Sequence, residues 1–138
     1  MIVQSEDITR PVRESADVCI IGSGCGGGAS AKVLAEAGKK VIVIEEGGYF
    51  TSGDFDMTEQ TAYQNLYQQR AGKATDDLAV TVLQGKCVGG SSTVAWTTSL
   101  RTPDFVLAKW KKDFGVSGLS SKELEPYFQR VEKYLNIH

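Results

Sequence analysis

The chain has 138 residues, 41% hydrophobic and 23% charged, with a formal net charge of −2 and a pI near 5.4. These values fit one ordinary soluble globular domain and exclude a disordered chain. They offer no basic excess to hold a phosphate backbone, so no nucleic-acid partner is expected.

Residues 1–16 are polar, carry Pro11, and read as a lead-in with a short helix. Asp17–Ile21, "DVCII", is a β-favouring run ended by glycine, the pattern of a parallel strand covered on both faces. "GGGASAKVLAEA", Gly26–Ala37, becomes helical, with Val33, Leu34 and Ala37 on one face and Gly38 as its stop. Val41–Ile44, "VIVI", is a second buried strand. Strand, glycine turn, helix and strand in this order make a βαβ unit with parallel strands.

Beyond it, Asp56–Arg70 is predicted helical, with Ala62, Leu66 and Tyr67 as anchors. Leu78–Leu83, "LAVTVL", is strand-like, and Gln84–Thr93 is a second glycine-rich loop. Pro103–Phe114 is a short helix with proline in its first turn. Leu124, Tyr127, Phe128, Val131, Tyr134 and Leu135 recur at helical spacing, and Pro126 is expected to start that last helix. There is no internal repeat and no linker.

The three cysteines, Cys19, Cys25 and Cys87, form no CxxC pair and have one histidine for company, so no zinc site is expected. Their small, odd number fits a reducing compartment. The first residues hold no apolar stretch of signal-peptide length, and no apolar run approaches a membrane span. A cytoplasmic location without a membrane span is the expectation.

Chemistry concentrates in the two glycine loops. Gly22, Gly24 and Gly27 stand in G-x-G-x-x-G order between a strand and a helix. In a dinucleotide-binding turn the first glycine permits the sharp turn, the second lets the backbone approach a pyrophosphate, and the third packs helix on sheet. The helix N-terminus then offers unpaired N–H groups to the phosphates. Glu45 closes the second strand about 20 residues after Gly24, where an acid binds a ribose hydroxyl. Glu46 adds a carboxylate that would repel a 2′-phosphate, which disfavours NADP. Cys25 reads as a small loop residue rather than a redox group. In the second loop, Gly89, Gly90, Ser91 and Ser92 can bring N–H groups and hydroxyls to a flat or anionic ligand.

The order of these motifs, ending in "LQGKCVGGSSTVAWTTSLRTP", resembles the N-terminal part of the glucose-methanol-choline (GMC) family of flavin oxidoreductases. The likeness runs from about Asp17 to Ile137 and is strongest to the branch of long-chain alcohol oxidases and bacterial alcohol dehydrogenases. It implies an α/β fold, a partial Rossmann-like FAD-binding domain whose N-terminal portion is residues 17–138. It also implies FAD in an extended pose. Gly22, Gly24 and Gly27 would meet the pyrophosphate, with Ser23 among the cofactor-binding residues. Glu45 would meet the adenosine ribose, and Gly89, Gly90, Ser91 and Ser92 would line the pyrophosphate-to-flavin end. The family's reaction is hydride transfer from an alcohol to the flavin.

Two features depart from the family pattern. Ala95 stands where the family usually has asparagine, which removes a polar contact near the cofactor. The family's proton-accepting histidine belongs to its C-terminal half, and His138 matches no part of that motif, so no catalytic residue is assigned. An alcohol substrate is therefore expected only with a C-terminal half. The alternatives are a non-catalytic nucleotide-binding module or one subunit of a split two-chain enzyme, and an NAD-binding domain. The "GGSS" loop and Glu46-Gly47-Gly48 speak against the last.

Overall fold

Val18–Ile21 (β1) and Val41–Ile44 (β2) lie side by side as parallel strands, with Val18 opposite Val41 and Ile21 opposite Ile44. Helix α1, Cys25–Glu36, connects them, so the predicted βαβ unit is present. This computed structural model describes residues 1–137; His138, read from the sequence as an ordinary terminal residue, lies outside the described residues. The chain divides into two compact units, residues 1–96 and 97–138.

In the first unit the lead-in forms one 3-10 turn at Ser5–Asp7. Helix α1 ends where Gly38 takes φ 78° and its N–H and that of Lys39 return to the carbonyls of Ala35 and Leu34. Such a reversal needs a residue without a Cβ. The inward stripe of α1 is Gly27, Ala31 and Leu34, all half-buried. Val33, expected on that face, is 51% exposed. The strands also differ from the expected pair buried on both faces. β1 alternates half-buried and exposed residues, and Ile21 is 78% exposed. Within this unit one helix packs on the two-stranded sheet, and the outward residues of β1 stay exposed.

Helix α2 is Glu59–Leu66, shorter at both ends than the predicted Asp56–Arg70. At its start Asp56 accepts from the backbone N–H and hydroxyl of Thr58 and from the Thr61 hydroxyl. At its end Tyr67 is extended and pairs antiparallel with Gly85, flanked by Gln68 N–H to Gln84 O and Lys86 N–H to Leu66 O. Pairing with the second glycine loop outcompetes another helical turn. Leu78–Leu83 forms no strand, only a bridge between Ala74 and Thr81. Thr75 and Val80 close a turn there, and its side chains are exposed. The run is β-favouring, but it lacks a surface to pack on.

In the second unit, helix α3 is Asp104–Phe114, preceded by Pro103 and stopped by Gly115 in the left-handed region. Helix α4 is Ser121–Leu135 and contains Pro126, which was expected to start it. Ser120 is the true start: its hydroxyl accepts the Glu123 N–H while the Glu123 carboxylate takes the Ser120 N–H and hydroxyl. This reciprocal cap fixes the first turn and carries the helix past the proline, which forgoes one backbone bond. Arg101 braces α4 by bonding both oxygens of Glu132 and one of Glu125. Among the described residues, no helix is long and apolar enough to cross a membrane.

Candidate functional site

The two glycine loops meet at the ends of β1 and β2. Gly22 leaves β1 with φ 89° while its N–H bonds the Ile44 carbonyl at 2.7 Å, so the turn begins while the chain is still tied to the sheet. A Cβ on Gly27 would lie 2.0 Å from the Gly22 carbonyl oxygen; absence of a side chain is what lets α1 approach. Gly24 is different. It precedes α1 with an ordinary φ of −61°, and a Cβ there would meet nothing within 4 Å. The fold itself does not require glycine at that position.

Glu45, half-buried at the end of β2, reaches back into the first loop. Its Oε2 accepts the Ser23 N–H at 2.8 Å and the Ser23 hydroxyl at 2.7 Å, and its Oε1 accepts the Gly47 N–H at 2.9 Å. Burial pushes this carboxyl up, but the hydrogen bonds from Ser23 and Gly47 together outweigh it and hold the group below the ordinary glutamate value. Glu46 points elsewhere: it is exposed, bonds Gln68, and lies 3.8 Å from the Lys86 ammonium.

The second loop docks on the first by backbone. Gly89 and Gly90 have φ 93° and 56°. The Gly89 N–H donates to Ser23 Oγ at 2.9 Å, and a Cβ on Gly90 would approach Gly24 Cα to 3.0 Å. Ser91 and Ser92 are both exposed, but their hydroxyls are not equivalent. Ser91 Oγ accepts the Gly85 N–H at 3.0 Å and keeps its proton for another acceptor. The Ser92 proton is committed to the Gly89 carbonyl. The Gly90 N–H is likewise engaged, with the Cys87 carbonyl at 2.7 Å.

Sequence reasoning missed what lies beneath. Cys87 is completely buried, and burial raises its thiol, with the nearby Glu45 charge adding to the effect. Gly48 bridges Cys87 in parallel fashion, and a Cβ on Gly47 would come within 2.3 Å of Lys86 and Cys87 backbone. The glycine pair Gly47-Gly48, directly after Glu46, was the available signal for this close crossing. Ala95 lines an apolar cavity of about 360 Å³ together with Phe50, Phe55, Met57, Leu66 and Val94.

The sequence model of the family described as GMC oxidoreductase matches residues 26–138. The chain belongs to the GMC oxidoreductase family. Proteins of this family are flavin-dependent in general. Among its relatives are two long-chain-alcohol oxidases of Arabidopsis thaliana. One is 36% identical over 88% of this chain and 16% of its own length. The other is 41% identical over 75% of this chain and 14% of its own. An oxygen-dependent choline dehydrogenase of Rhizobium johnstonii is 34% identical over 85% of this chain and 23% of that protein. The chain thus corresponds to the N-terminal part of these GMC oxidoreductases and spans less than a quarter of their length.

Proposed function

We propose that this chain is the FAD-binding portion of a GMC-type oxidoreductase that oxidises the CH–OH group of an alcohol, acting with a C-terminal half. The observation that carries the reading is Gly24. Its backbone conformation suits any residue and its Cβ direction is open, so what excludes a side chain is something that approaches from outside. A pyrophosphate at the first turn of α1, whose N–H groups have no intrahelical partner, is the ligand that fits.

The remaining residues support the same pose. A carboxylate accepts about four hydrogen bonds. Ser23 and Gly47 supply three to Glu45, and a ribose hydroxyl would be a further donor to the same carboxylate. Its lowered pKa keeps it an acceptor at neutral pH. Ser91, with a hydroxyl proton still free to donate, would serve the pyrophosphate end, and it directly follows Gly89 and Gly90, which dock on Ser23 and Gly24. When bound, the flavin supplies the hydride acceptor. The chain's own residues bind and orient it, and none is given the role of base.

Titration of the purified chain with FAD and with NAD, followed by flavin absorbance and fluorescence, tests this. FAD is expected to bind tighter, and Gly24→Val to abolish binding. Tighter binding of NAD rejects the reading.

A further inference from the structure

We propose that Ser23 is a positioning residue, whose hydroxyl couples the Glu45 carboxylate to the Gly89 amide and so seats the second glycine loop against the first. The Ser23 Oγ–H donates to Glu45 Oε2 at 2.7 Å, and the same oxygen accepts the Gly89 N–H at 2.9 Å. A hydroxyl has one proton and two lone pairs. With its proton drawn to the carboxylate, it turns a lone pair to Gly89. The ionised acceptor also polarises the O–H bond and makes its oxygen the better acceptor.

This link matters because the facing loops offer little else to set their register. Where they touch, Gly24 and Gly90 meet backbone to backbone, close enough that a Cβ on Gly90 would lie 3.0 Å from Gly24 Cα. Neither glycine supplies a side chain to lock the contact. The Ser23 proton is already committed, so the hydroxyl acts through Glu45 and Gly89 rather than by donating to a phosphate. The inference goes beyond FAD binding and does not depend on it.

Residue-resolved amide hydrogen exchange on the ligand-free chain tests it, comparing the parent with Ser23→Ala, Ser23→Thr, Glu45→Gln and the Ser23→Ala/Glu45→Gln pair. Loss of one hydrogen bond should speed exchange at Gly89 roughly fivefold in Ser23→Ala. Ser23→Thr, which keeps the hydroxyl, should stay near the parent. A glutamine is a neutral and weaker acceptor than the carboxylate, so Glu45→Gln removes the charge that polarises the Ser23 hydroxyl and should speed Gly89 as well, by less than Ser23→Ala, but add nothing once the Ser23 hydroxyl is gone. The Leu34 amide, inside α1, is the internal reference and should not change. If Ser23→Ala does not fold, Glu45→Gln alone decides, since Gly89 must then speed up relative to Leu34. Unchanged Gly89 exchange in either variant overturns the proposal. So does equal acceleration by Glu45→Gln with and without the hydroxyl. No cofactor is present, so a chain that fails to bind FAD still answers the question.

Discussion

Gly27 packs so closely on Gly22 that an added methyl group would lie 2.0 Å from the Gly22 carbonyl oxygen, whereas one on Gly24 would touch nothing. The two positions therefore separate stability from binding. Gly27→Ala should destabilise the chain by about 1–3 kcal/mol, the usual cost of overpacking. Gly24→Ala should change stability by about 1 kcal/mol or less, since alanine is only a poorer residue before a helix. Its effect should appear as weaker FAD binding. Urea unfolding and flavin titration of both variants check the pair.

Glu45 makes a pH-dependent contribution whose sign follows from its lowered folded-state pKa. Such a group adds stability above its unfolded pKa, about 4.3 for glutamate. That stability is lost as pH falls through the folded value. The difference in urea midpoint between parent and Glu45→Gln should be full above about pH 5 and shrink on acidification. Other carboxylates with lowered values, including Asp56 and Asp77, titrate in both proteins and cancel in the difference. A gap that widens toward acid would contradict the assignment.

The serine hydroxyls should behave unequally. Ser91→Ala removes a proton available to a phosphate and should weaken FAD roughly fivefold or more. Ser92→Ala removes a bond internal to the loop, so its effect should fall on loop stability. Equal losses of affinity would mean that Ser92 turns outward when the cofactor binds.

Helix α4 gives a test free of any ligand. Ser120→Ala removes the cap and should cost about 1 kcal/mol. Pro126→Ala restores a backbone bond inside the helix and should stabilise by about 1 kcal/mol or more, after allowing for the looser unfolded chain. Thermal melts of the two variants should shift in opposite directions.

The parts legible in the sequence are those with short-range causes. β1, α1, β2 and the task of Gly27 follow from hydrophobic runs and glycine spacing within one βαβ unit. The Ser120–Glu123 cap was just as local, but proline drew the expected start to residue 126. What could not be read depends on segments distant in sequence. Tyr67 stops α2 because Gly85 pairs with it. Leu78–Leu83 has strand composition without a partner. Ser23 meets Gly89 across 66 residues, and no local pattern announces that contact.

Cys87 is sealed while Cys19 and Cys25 are open to solvent, which gives the chain a built-in clock. A thiol reagent should consume two equivalents at once and a third only when the junction beneath the loops breathes open. When opening and closing outpace labelling, the ratio of slow to fast rates is the population of the opened form. A ligand that clamps the two loops together would stretch the delay, so a colourless, redox-silent dinucleotide could be scored by how long one sulfur stays hidden.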